Sequence, residues 1–200
     1  MGSMLDVVGG IILFGVLLLM TLQLNIFTAE TAVQQNLTAY NQERITGNES
    51  GLGLGGMVEY DLAQVGYGDS LAPSVTVADT NRVTFRADID GNGSVDSIKY
   101  YVTTPASIPP GGNPNLKYLY RKQNTETGTG GWVGVSQFKI TYLDNMGRII
   151  PTPVAGTSLS DIRSIRIQMT VESATRMKSD WDTTFASSYW ETLISPSNIK

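Results

Sequence analysis

The chain has no cysteine and no histidine among its 200 residues. Without cysteine there are no disulfide staples and no thiolate metal sites. Without histidine the commonest general base and the commonest transition-metal ligand are missing, which excludes triad hydrolysis of the Ser-His or Cys-His kind. Only carboxylate or lysine chemistry would survive. No convincing constellation for either is present, so the chain reads as a non-enzyme. Charge is sparse too, with Asp, Glu, Lys and Arg making up 16% of the residues. The net charge of −4 argues against a broad nucleic-acid surface, which needs clustered Lys and Arg. A local basic spot remains at Lys117, Arg121 and Lys122. No proline occurs before Pro73, so nothing breaks a long helix over the first part of the chain.

That first part is the most informative. After Asp6 no charged residue occurs until Glu30, and Val7 to Leu24 is almost wholly apolar. Polar residues dominate from Gln23 onward, yet Leu22, Ile26, Ala29, Val33, Leu37 and Tyr40 keep a spacing of three and four, which places them on one helical face. The pattern predicts one long, continuous helix over 1–46. Its apolar first half suits lipid or a filament core, and its second half suits packing on a soluble domain. The apolar run is short for an upright membrane span, which needs roughly 20 residues. A secretory signal peptide would have a basic flank before it and a small-residue cleavage site after it. The flank here, Met1–Asp6, is acidic, and no Ala-x-Ala site follows. Gly9, Gly10 and Gly15 would let neighbouring helices approach closely. A carboxylate at the head of an apolar helix is costly unless paired. Asp6 therefore needs a partner charge, a place among lipid headgroups, or the helix N-terminus, where carboxylates are favourable.

Five glycines in 47–56 predict a flexible joint, and Met57–Gly66 reads as a short amphipathic helix. Residues 57–200 are expected to form the globular domain. After Pro73 the sequence reads as strands. Val83, Phe85, Ala87 and Ile89 alternate, as do Ile98, Tyr100 and Val102 across an Asp90-Gly-Asn-Gly93 turn, a hairpin signal. Further strands are expected near 116–122, 132–135 and 138–143, with Ile165–Glu172 the cleanest alternation. One buried and one wet face is the antiparallel pattern. The fold class is α+β: a long N-terminal helix, apolar in its first half, packed through its second half on a C-terminal antiparallel β-sheet domain. The nine tyrosines and three tryptophans are read mostly as strand core, and the tail from Ser187 to Lys200 as irregular.

Asp88-x-Asp90-x-Asn92-Gly93-x-x-Asp96 matches positions one, three, five, six and nine of an EF-hand-like calcium loop. With Ser94 these residues form a candidate calcium site. Position twelve is Lys99, so the bidentate acid is missing, and an Asp/Asn/Gly-rich hairpin turn is the competing reading. Gly51-Leu-Gly-Leu-Gly-Gly56 matches a dinucleotide fingerprint in letters only, since it follows a helix rather than a strand. Asn36-Leu-Thr38 and Asn48-Glu-Ser50 are acceptor-type glycosylation sequons, as is Asn92-Gly-Ser94.

Taken in order, several of these pieces resemble the type IV pilin-like proteins, with the closest look to PilW-type minor pilins and J-type pseudopilins. Met57-Val-Glu-Tyr-Asp-Leu-Ala-Gln-Val-Gly-Tyr-Gly68 is similar to the segment that follows the helix in that family. Val83–Gly93 with Ile98–Val102, Leu119-Tyr-Arg121, Val135–Asp144, Asp161–Ile167 and Ser195–Ile199 resemble its successive later segments. The resemblance spans nearly the whole chain, and the order is its specific part. It implies the pilin fold and a subunit held in the inner membrane before joining an extracellular helical filament. Its partners would be copies of itself and the inner-membrane assembly machinery, with no nucleic acid expected. Such proteins usually carry a basic leader and a Glu near the mature N-terminus, and neither is present here. If the initiator Met were lost, Asp6 would stand fifth, in the place of that Glu, whereas cleavage after Gly2 would leave it fourth. The resemblance implies that it pairs with a neighbouring subunit's positively charged N-terminus and sets axial register. The alternatives are a minor pseudopilin of a type II secretion system and a membrane-anchored binding or adhesin domain that never polymerises.

Overall fold

The computed structural model describes residues 2–48, 51–104, 112–127, 129–174, 176–178 and 183–200. Helix α1 runs over Gly2–Thr46, 45 residues, about 68 Å at 1.5 Å per residue. Arg44 sits in its last turn, where a cation complements the helix dipole. The chain then folds back through a short ladder pairing Gly47 with Leu52 and Asn48 with Gly51. Helix α2 follows at Leu54–Ala63. The glycine-rich joint is thus shorter than its composition suggests, because Leu54, Gly55 and Gly56 already belong to α2.

Besides a short separate ladder pairing Met177–Lys178 with Thr183–Thr184 and a 3-10 turn at Gly156–Asp161, the remainder is built on one large antiparallel sheet. Its strands are β1 Val75–Ala78, β2 Arg82–Ala87, β3 Asp96–Thr103, β4 Lys117–Gln123, β5 Thr129–Leu143, β6 Ile149–Ile150, β7 Ser164–Glu172 and β8 Ser187–Ile194. The spatial order is β8-β7-β5-β4-β3-β2-β1, with β6 paired to β5. This is close to a pure meander, in which most neighbours in space are neighbours in sequence. The 132–135 and 138–143 segments are one strand with a register shift between Val135 and Gln137. Across that shift β5 meets β4 along its first half and β7 along its second.

The expectation about the tail is corrected. The tail is not irregular from Ser187, because β8 pairs residue for residue with β7 from Ser187↔Glu172 to Ile194↔Ile165. The helix packs on the sheet domain as expected, over the C-terminal part of its second half. Leu22, Ile26, Val33 and Tyr40 are all more than half exposed, while Leu37 is half-buried. The contacting face runs through Thr38, Asn41 and Ile45. Ile45 is fully buried, Asn41 Nδ2 donates to the Ala186 carbonyl at 3.0 Å, and Ser188 Oγ donates to the Thr38 carbonyl at 3.3 Å. This face is offset from most of the apolar stripe, and α2 supplies much of the apolar cover the sheet needs.

The core joins Val58, Leu62 and Val65 from α2 and its following turn to Phe85, Ile98, Leu119, Ile140, Ile167 and Met169 from the sheet. Two glycines make the junction with α1 possible. A Cβ on Gly53 would lie 2.2 Å from the Gly47 nitrogen, and one on Gly55 would lie 2.9 Å from the Trp190 ring. Of the nine tyrosines only Tyr100 and Tyr142 are buried. The others lie on outer or partly covered surfaces, as where Tyr101 stacks on Tyr120 at 5.3 Å between ring centroids.

Candidate functional site

Two regions hold the residues singled out by sequence, and the first is the surface of α1. Its most apolar 18-residue window has a mean hydropathy of 2.4, and none of it is buried. Phe14 is 67% exposed and Leu17 61%. Side-chain hydroxyls along the helix are satisfied internally. Thr21 Oγ1 donates to the Leu17 carbonyl at 2.8 Å, Thr28 to Leu24 at 2.7 Å, and Thr31 to Phe27 at 2.8 Å. Such back-bonding removes the cost of placing a hydroxyl in an apolar environment. It extends the water-free stretch the helix tolerates beyond Leu24, leaving the amides of Gln23 and Asn25 as the polar groups in between.

Asp6 is exposed and lies beyond the first turn, which holds no acidic residue, so it does not cap the helix. Among the described residues it has no hydrogen bond or ion pair. At roughly 100° per residue, Gly9 and Gly10 share a face with Asp6, whereas Gly15 lies on the opposite side. A Cβ on any of the three glycines would meet nothing within 4 Å. They shape no contact within the chain, and any role they have is toward something outside it.

The second region is the β2–β3 loop. One carboxylate oxygen from each of Asp88, Asp90 and Asp96 lies within 4.8 Å of the others. Asp88 and Asp96 are buried, at 7% and 6% exposure, and Asp90 is exposed. The loop builds itself around these groups. Asp88 accepts the amides of Asn92 at 3.1 Å and Gly93 at 2.9 Å, with Gly91 and Gly93 at positive φ. Asn92 donates its amide to Asp90 Oδ2 at 2.8 Å and accepts from the Ser94 nitrogen at 2.7 Å. Asn92 and Ser94 are therefore engaged in the turn, and the three aspartates are what the structure brings together. Lys99 points to the other face of the sheet, its ammonium 4.7 Å from the Tyr101 ring centroid.

Sequence reasoning missed the group that fastens α2 to the sheet. Asp61 is 3% exposed. It accepts from Tyr100 Oη at 2.6 Å and from Arg121 Nε at 2.5 Å. Burial pushes the Tyr100 phenol well above its ordinary value, and the charge and hydrogen bond of Asp61 push it further. Burial disfavours the charged Arg121, but the hydrogen bond and charge of Asp61 outweigh that and hold it above its ordinary value. The signal was present: Asp61 stands inside the Val58, Leu62 and Val65 stripe, and a charge on an apolar face implies a buried partner. This pairing also dissolves the local basic spot, because Arg121 turns inward to Asp61 while Lys122 lies on the opposite face of β4.

Of the sequons, Asn36 is exposed on α1. Asn48 lies in the short ladder after it, and the rest of its sequon, Glu49 and Ser50, lies outside the described residues. Comparison with family models, with curated proteins and with solved structures returned no match.

Proposed function

We propose that this chain is a structural subunit of a type IV pilus-like filament that polymerises through α1. One observation carries the reading: an apolar helical surface, wholly uncovered within the chain, hangs from a domain whose own core is already closed. Such a surface is unstable in water and has two homes, lipid and other helices. A subunit that waits in the inner membrane and then joins a surface filament uses both in turn. Asp6 supports the second home, since a lone carboxylate beside an apolar helix gains most from a neighbour's cation. The partners are further copies of the chain and the inner-membrane machinery that assembles them.

The test is electron microscopy of material sheared from producing cells, with mass spectrometry to identify the chain. Long fibres containing it are expected, and Asp6→Ala should remove the chain from them while leaving the β domain folded. Normal fibres from that variant would sink the pairing role. Retention of the unaltered chain in the inner membrane, with none in fibres, would favour the type II secretion pseudopilin or the anchored, non-polymerising domain.

A further inference from the structure

Apart from filament assembly, we infer that the β2–β3 loop is a calcium site formed by Asp88, Asp90 and Asp96. The close approach of three carboxylates is one observation, and it would be weak alone. The second is independent. Asp96 is 94% buried, taken from its 6% exposure, and its Oδ2 has no hydrogen-bond partner. Its other oxygen, Oδ1, is held by Asn124 Nδ2 at 2.6 Å. Asn124 is itself fixed to the β3 backbone, accepting from the Ser97 nitrogen at 2.8 Å and donating its own amide to the Ser97 carbonyl at 2.8 Å. The carboxylate of Asp96 is thus oriented by a residue from a different turn, and the oxygen left over is buried and unsatisfied. Buried polar atoms of that kind are rare in folded proteins.

Charge points the same way. Asp88 and Asp96 are both buried, and among the described residues neither belongs to an ion pair. Three carboxylates converging without a cation repel one another in a poorly solvated place. A hard divalent cation removes the repulsion and fills the open valence of Asp96 Oδ2. The donors are all oxygen, which suits calcium or magnesium. Calcium–oxygen distances of about 2.3–2.6 Å let ligands on opposite sides of the ion stand nearly 5 Å apart, while magnesium at about 2.0–2.1 Å demands a tighter set. The mutual spacing, within 4.8 Å, falls inside the calcium range. Only three protein carboxylates are supplied, so water would complete the shell.

The site has a structural consequence. The Asp88 nitrogen donates to the Tyr67 carbonyl at 2.8 Å, and the neighbouring Asp69 carbonyl accepts from Lys200 Nζ. A cation would therefore tie the loop, the turn after α2 and the chain's last residue into one unit.

The test uses the full chain in detergent, stripped of metal by a chelator and titrated with calcium chloride by calorimetry and thermal unfolding. One saturable calcium per chain is expected, with a rise in unfolding temperature. Asp90→Asn, at an exposed position and with the metal-free fold checked by circular dichroism, should weaken binding at least about tenfold, because affinity follows ligand charge. Asp96→Asn should do the same. No saturable binding, or binding unchanged in both variants, would overturn the site. An equal response to magnesium chloride would overturn the assignment to calcium.

Discussion

Phe14 on α1 and Phe85 on β2 are the same side chain in opposite surroundings, one 67% exposed and the other fully buried. The contrast extends to the regions around them. In the domain, alternation is matched by burial where it is clearest: β7 is intermediate and buried in strict turn from Ser164 to Glu172, and Val83, Phe85 and Ala87 of β2 are buried at alternate positions. Its charged groups are also used, as Asp61 is by Tyr100 and Arg121. In α1 the apolar residues are denser, yet almost none is covered. The domain has met its own requirements within one chain. The helix has not, and that unmet requirement is the basis of the functional reading.

The largest test of the contrast is to truncate both phenylalanines. Phe85→Ala should cost the domain about 3–5 kcal/mol, the usual price of deleting a buried aromatic. Phe14→Ala should move the same denaturant midpoint by less than about 0.5 kcal/mol, as for an exposed position. Equal effects would mean that the apolar first half of the helix is packed on its own domain. A smaller effect is expected at the junction between the regions. Gly53→Ala puts a methyl against the Gly47 nitrogen and should destabilise by about 1–3 kcal/mol, the range for overpacking. Limited proteolysis should then cut between α1 and α2 more readily, and unchanged protection would show that the junction has room to give.

The smallest effect is read at alkaline pH. Burial raises the phenols of Tyr100 and Tyr142 above their ordinary value of 10.0. Below that value both folded and unfolded chains keep the proton, and the stabilisation is complete. Above it the unfolded chain loses protons that the folded chain retains, so stability falls as pH rises. Ultraviolet titration should find these two tyrosines resisting ionisation until the domain unfolds. Early ionisation of all nine would contradict the buried lock at Asp61.

Legibility in the sequence followed the same division. The end of α1 at Thr46, the β2–β3 hairpin and the alternation of β7 were readable because each depends on local periodicity and turn chemistry. β8 was not, because Tyr189 and Leu193 face outward and the strand is set by pairing with β7 rather than by its own pattern. The start of α2 was hidden by Gly53, Gly55 and Gly56, of which Gly53 and Gly55 answer to the closeness of Ile45 and Trp190. At the acidic loop, spacing revealed Asp88, Asp90 and Asp96. It could not reveal Asn124, 28 residues along from Asp96, which orients that carboxylate.

The central claim is that copies of α1 cover one another. It is tested most directly by placing a photo-activated crosslinking residue at Phe14, irradiating producing cells, and identifying adducts by mass spectrometry. Adducts joining Phe14 to the 7–24 segment of another copy, recovered from sheared fibres, are the predicted result. Adducts to lipid alone, with the chain never leaving the membrane, would contradict it.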